Sequence, residues 1–219
     1  LDFLSPGGAA TGRLLPSGNA VDELHVGGIG IVEASLIDAA NAVVFVRAAD
    51  LGKSAIELPD SLDNEKDFME QVEKIRCAGS VAMGLAGSSD KAERSTPKVA
   101  ILGEARSFTS LDGEFHALET HDLNVRLVSM GKFHRAITLT GGMCAAVAAQ
   151  VPGSLVQQIS NPETTDLKIG TPSGVLNVTA EVRTGPNGPE AVTAGTYRTQ
   201  RRIMEGAVLF PGEFLEEGN

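Results

Sequence analysis

Apolar and polar positions along this chain follow two periods, and each period predicts its own kind of element. From Gly28 to Ile37 the run IGIVEASLI alternates loosely, as in a half-buried strand, and Val43 to Arg47 repeats the pattern after a turn at residues 38–41. The two are expected to be antiparallel neighbours. Lys98 to Glu104 is an apolar strand entered through Pro97, and Asp122 to Ser129 (DLNVRLVS) places Leu123, Val125 and Leu127 on one face. Leu167–Gly170, Val175–Val182, Ala191–Tyr197 and Thr199–Leu209 also read as strands, with Pro186-Asn187-Gly188 as a hairpin turn.

Helical spacing occurs in two places. Between Ser61 and Gly84, residues Phe68, Val72, Ile75 and Cys77–Gly79 fall near one face, with Ser61 or Asp63 available as a cap and Glu65 and Asp67 in the first turns. The second helix, residues 141–151, is nearly all small and apolar. Ala145, Ala146, Ala148 and Ala149 would let a curved sheet approach it closely. Many antiparallel strands around one small-residue helix predict an α+β domain. Residues 5–19 are rich in Gly, Pro and Ser and read as an ordered loop or linker, and residues 87–96 as a polar surface loop.

Composition narrows the function classes. With 219 residues, ordinary apolar content and 25 glycines, the chain is globular and turn-rich. A net charge of −10 argues against nucleic acid, which demands clustered Lys and Arg. An acidic small molecule is still compatible, because a pocket needs only local positive charge. Cys77 and Cys144 are far apart and are expected to be unpaired thiols in a cytoplasmic protein. No apolar run is long enough to span a bilayer. The isolated histidines His25, His116, His121 and His134 offer no metal-ligand spacing, and no phosphate-binding glycine motif is present. No metal and no cofactor are expected.

The candidate chemistry gathers at residues 129–154. Lys132 and His134 alternate, so on an extended segment they share a face, and Thr138 and Thr140 flank the start of the alanine-rich helix. A helix start has unpaired N–H groups and the positive end of the peptide dipole, which suits a carboxylate. Thr140 and Gly141 would stand at that point. A solvated lysine, a structural histidine and an ordinary threonine cap would explain the same residues. Asn41 lies between two strands, where an asparagine is ordinarily a turn former. Lys98 and Arg106 are cations beside an apolar strand, where a solvated charge is the ordinary case. Pro172-Ser173-Gly174 reads as a tight turn rather than an anion nest. Cys144 among alanines reads as packing, since burial raises a thiol's pKa and makes it inert.

Four blocks in order resemble the PrpF family of isomerases. They are Ala9-Ala10-Thr11-Gly12-Arg13-Leu14-Leu15-Pro16-Ser17-Gly18-Asn19; the run from Asp38 to Val46; Ser129-Met130-Gly131-Lys132-Phe133-His134, with its following helix closed by Pro152-Gly153-Ser154; and Gly170-Thr171-Pro172-Ser173-Gly174. The resemblance implies a diaminopimelate epimerase-like fold, with antiparallel sheet around a central helix. It also implies a cofactor-independent isomerase of unsaturated di- or tricarboxylates such as 2-methylaconitate, aconitate, methylitaconate or oxalomesaconate. Ser129 and Met130 join the substrate-binding candidates through the resemblance alone, and so does the carboxylate-ligand reading of Asn41, which is similar in place to the asparagine of the Gly-Asn-Pro-His run in the epimerases although Ala42 and Val43 stand where that run has Pro and His.

In the family a Lys and a Cys from the first domain form the acid/base pair, so the catalytic residues are expected outside this chain. The chain opens on Leu1 and is similar to the second half of these proteins. Residues 1–24 are expected to be a linker and signature loop, 25–209 the second domain and 210–219 a tail. The expected partners are the polycarboxylate, the N-terminal domain and a further copy of the chain. Two rivals differ in class: a non-catalytic acid-binding or structural domain, and an amino-acid epimerase of the same fold. The epimerases use paired cysteines, and neither 138 nor 140 is cysteine here.

Overall fold

The computed structural model describes residues 1–160, 166–186, 188–198 and 201–209. Among the described residues there are twelve strands: β1 (Asp2–Leu4), β2 (Asp22–Val26), β3 (Gly30–Ala39), β4 (Asn41–Arg47), β5 (Lys98–Glu104), β6 (Phe108–Thr109), β7 (Phe115–His116), β8 (Leu123–Ser129), β9 (Lys132–Phe133), β10 (Asp166–Thr171), β11 (Gly174–Gly185) and β12 (Gly188–Thr196). The α-helices are α1 (Pro59–Asp63), α2 (Lys66–Ala82), α3 (Leu139–Ala149) and α4 (Leu155–Ser160). Ten strands form one sheet in the order β1-β12-β11-β10-β8-β5-β4-β3-β2, with β9 added to β8, and β6 and β7 form a separate hairpin. Neighbours are antiparallel except β4 with β5 and β8 with β10.

Both faces of the sheet's centre are buried, which explains its nearly continuous apolar runs. Along β4, Val43 and Phe45 face inward with Ala100, Leu102, Leu123, Val125 and Leu127, around α3. The intervening Ala42, Val44 and Val46 face outward with Val99, Ile101 and Leu36, under Phe68, Val72 and Ile75 of α2. Every residue of α3 from Gly141 to Ala149 is buried. A Cβ on Gly141 would stand 2.6 Å from Thr138 Oγ1 and 2.7 Å from Leu127 Cδ1, so a side chain here would have to displace the helix cap and the Leu127 tip on β8. Cys144 lies in this inner cluster and Cys77 on α2, and both are free thiols.

Several elements differ from their expected bounds. The 61–84 pattern is two helices, broken at Asn64 and Glu65. Asp63 does not cap α2; its carboxylate accepts the Phe133 N–H at 2.9 Å. The central helix starts at Leu139 rather than 141 because Thr138 is its N-cap, accepting the Gly141 N–H at 3.2 Å. Residues 5–19 are an ordered loop, not a free linker. Asp38 Oδ2 accepts the N–H groups of Ala10 and Thr11 and the Thr11 hydroxyl at 2.6–2.8 Å. Likewise β1 joins the sheet beside β12, and a boundary between residues 24 and 25 would cut β2.

Residues 201–209 carry no regular structure, against the strand expected there, while Thr199 and Gln200 lie outside the described residues. Next to β12, the place of a further strand is taken at Thr193–Gly195 by β1, which pairs there. Asn187 of the hairpin turn and the tail at 210–219 also lie outside the described residues, although β11 and β12 pair on both sides of residue 187. Among the described residues no helix is long and apolar enough to cross a membrane.

Where α2 rests on β4, a Cβ on Gly79 would lie 2.4 Å from Val44 Cγ2. Gly79→Ala should gain about 0.5–1 kcal/mol of helix preference but cost about 1–3 kcal/mol in overpacking against a stiff β-branched side chain. A net loss of stability in urea denaturation is the expected result; a stabilised variant would show that α2 is free to shift.

Candidate substrate-binding site

Sheet topology brings the predicted residues to one edge. β4 begins at Asn41 and its parallel neighbour β5 begins at Lys98, with Val43 opposite Lys98. The antiparallel β8 therefore ends beside them, with Val99 opposite Val128 and Ser129 next in line. The head of α3 meets the same edge. Asn41 Nδ2 donates to Thr140 Oγ1 at 3.1 Å, and Lys98 Nζ donates to Ser129 Oγ at 3.0 Å. Asn41 is thus more than a turn former, since its side chain ties the sheet to the helix start. The preceding bend is made by Ala40, at φ 57°. Half-burial holds the Lys98 ammonium below its usual range.

Met130 and Gly131 form the two-residue turn from β8 to β9, both at positive φ (56° and 79°), as a tight hairpin requires. Methionine is strained there, and its side chain stands exposed at the sheet end. Phe133 stacks on Phe68 in the outer cluster with ring centroids 6.0 Å apart. The chain's alternation then sets Lys132 and His134 on the other side. Lys132 is exposed and His134 half-buried. Arg135 leaves the site to pair with Asp60 at 3.1 Å.

His134 Nδ1 accepts the Ala136 N–H at 3.1 Å, so the neutral ring carries its proton on Nε2. Burial, and then the positive charge of Lys98, hold its pKa below the ordinary 6.5. Beside His134 opens a cavity of about 490 Å³, bounded by Thr138 and Leu139 of the helix start, by Thr171 and Ser173, and by Arg198. Arg198 was not visible as a candidate because it follows β12 with no pattern to mark it.

Other candidates lie elsewhere. Arg106 is beyond the far end of β5, roughly 25 Å along the strand direction from Lys98 at about 3.3 Å per residue. It borders a different cavity of about 320 Å³ with Arg47 and Gln158. Its nearness to an apolar strand could not tell one strand end from the other. The Pro172-Ser173 segment is the β10–β11 turn. The Ser173 N–H points to Thr171 Oγ1 and the Pro172 carbonyl accepts from Leu111 N–H, so no ring of free N–H groups forms. Cys144 is fully buried, its thiol pushed far above the usual range and turned to the Ile37 carbonyl, as expected of a packing residue.

Comparison with known proteins follows this geometry. The PrpF protein family model matches residues 1–211. The chain is 35% identical over 217 residues to a 2-methyl-aconitate isomerase of Shewanella oneidensis, covering 96% of this chain and 55% of that protein. It is 32% identical over 214 residues to a 3-methylitaconate isomerase of Eubacterium barkeri, covering 95% and 55%. The crystal structure of a methylitaconate Δ-isomerase superposes with a TM-score of 0.84 at 32% identity, covering 94% of this chain and 54% of that one. The fold is therefore the diaminopimelate epimerase-like α+β fold that the four sequence blocks implied. The chain spans about half the length of the curated relatives it matches.

His134 should titrate with a midpoint below 6.5 in ring-proton NMR. Its folded-state value is depressed, so the folded chain holds fewer protons than the unfolded chain just below pH 6.5. The associated stability is complete above that pH and is lost as pH falls through the folded midpoint. Lys98→Met should raise the midpoint part of the way, since burial remains. A midpoint at or above 6.5 in the parent chain would contradict the burial of this ring.

Proposed function

The chain belongs to the PrpF family, and on that premise we propose that it forms the carboxylate-clamping wall of a cofactor-independent, cytoplasmic isomerase of unsaturated di- or tricarboxylates. The observation that carries this is the meeting of Asn41, Lys98, Ser129, His134, Thr140 and Gly141 at the head of one buried helix. Met130 and Lys132 stand at the exposed rim of the same edge and would reach a substrate from the side. Arg106 has no part in it.

Shifting or rotating a double bond in such an acid requires a base to remove an allylic proton and an acid to return it. The charge that develops spreads onto a carboxylate, and fixed donors lower its energy. Lys98 supplies a partly dehydrated ammonium, His134 a neutral Nε2–H donor, and Leu139 and Thr140 the first N–H groups of α3. Among the described residues no thiol stands at this edge to work as one of the pair, since Cys144 is sealed in the core. The acid and base are assigned to the portion of the enzyme that corresponds to the remaining length of the relatives. That portion would close the cleft, with this chain, β1 and β2 included, acting as the second domain. An amino-acid epimerase fits less well, since threonine stands at both 138 and 140.

The test is proton exchange into trans-aconitate in deuterium oxide, followed by NMR. The 219-residue chain alone should be inert, and the complete enzyme containing it active. Turnover by the chain alone at about one per second or more, a rate ordinary for enzymes, would overturn the division of roles. In the complete enzyme Lys98→Ala should weaken substrate binding by about 1–3 kcal/mol, the scale of a hydrogen bond to a charged group, with an unchanged circular dichroism spectrum. Unaltered KM and kcat would remove Lys98 from the site.

A further inference from the structure

The cavity beside His134 is also lined by residues that the proposed clamp does not use. Among its described lining residues there is no carboxylate, in a chain that carries 28 of them. Two of its hydroxyls are already spent: Thr171 donates to the Gly174 carbonyl at 2.9 Å and Ser173 to the Arg135 carbonyl at 2.6 Å. Two strong donors are not. The Arg198 guanidinium has no hydrogen-bond or ion-pair partner among the described residues. His134 keeps its proton on Nε2, because Nδ1 is occupied by the Ala136 N–H.

An unpaired surface arginine is unremarkable alone. Here it lines a cavity of about 490 Å³ that His134 also lines, with no acid among the described lining residues. Cavities that hold small molecules run from about 300 to 1,000 Å³. A planar guanidinium grips a carboxylate through two parallel N–H bonds, which fixes orientation as well as affinity.

We infer that Arg198 holds one carboxylate of the substrate while the His134 side receives another, so that this cavity selects acids with at least two carboxylates. The assignment rests on the carboxylate site proposed above and adds to it the residue that sets the number of carboxylates.

The 219-residue chain titrated with trans-aconitate and with crotonate, an unsaturated monocarboxylate, tests this through amide NMR shifts. The parent chain should bind aconitate at least about tenfold more tightly than crotonate, the ratio that one added charged contact supplies. Arg198→Gln should reduce aconitate affinity about tenfold and narrow that ratio, and Arg198→Lys should restore part of it. Arg183→Gln, an exposed arginine on β11 away from this cavity, should change nothing. Equal aconitate binding by the parent and Arg198→Gln would overturn the role of Arg198 and leave the carboxylate site standing. A parent chain that binds neither acid would overturn both. Because Arg198 is exposed, its substitution should leave the dispersion of the amide spectrum intact.

Discussion

The tight embrace of α3 by the sheet is the constraint from which the rest follows. Nine successive residues of this helix are buried and none carries a charge. A helix so enclosed can expose its unpaired N–H groups only where it enters the sheet. That entry lies where β4 and β5 begin and β8 ends. The site is therefore placed by packing before any polar residue is chosen. The close approach at Gly141 and the alanine-rich surface keep the helix head within reach of Asn41. The Asn41–Thr140 bond then locks sheet and helix together at the point where a ligand would sit.

The parts legible in the sequence are those with a period. β4 and β8 were readable because their apolar residues repeat across two buried faces, and α3 because it is long and uniformly small. The 61–84 pattern concealed the break between α1 and α2, since Leu62 and Phe68 both face the outer cluster and no Gly or Pro marks residues 64–65. β1, β9 and α4 are too short to show a period. α4 depends on Ser154, whose hydroxyl donates to the Ala148 carbonyl, and on Ser35, which accepts the Leu155 N–H. The His134 side of the site was readable from local alternation. The Lys98–Ser129 pair was not, because it depends on the parallel register of β4 with β5 and the return of β8, contacts set by distant segments.

A buried arginine links the sheet to the cavity wall. Arg126 is almost wholly enclosed on β8. Its Nε donates to the Glu57 carbonyl at 2.6 Å, and its Nη1 to the carbonyls of Val125 and Gly170 at 2.9 and 3.3 Å. Its guanidinium carbon lies 5.8 Å from the Phe108 ring centre. Burial pulls its pKa down to about 10, which leaves it charged at neutral pH. A buried charge is tolerated when carbonyl dipoles surround it, and these carbonyls come from separate segments. One of them, Gly170, leads directly into Thr171 and Ser173 of the cavity. The arginine thereby fixes the wall facing His134 to the strand that delivers Ser129.

The overall charge of −10 and an anionic ligand are reconciled by range. At physiological salt the screening length is about 8 Å, so most of the surface carboxylates act weakly on a molecule already inside the cleft. On the proposed reading, what would act there is the local set: Lys98 held half-buried, His134 presenting a neutral donor, Arg198, and the first N–H groups of α3. Neutral His134 matters in this balance. Lys98 stands close enough to disfavour its protonation, and a bound carboxylate would oppose that effect and draw a proton to the ring. On the proposed reading, carboxylate binding and protonation of His134 at this edge are coupled.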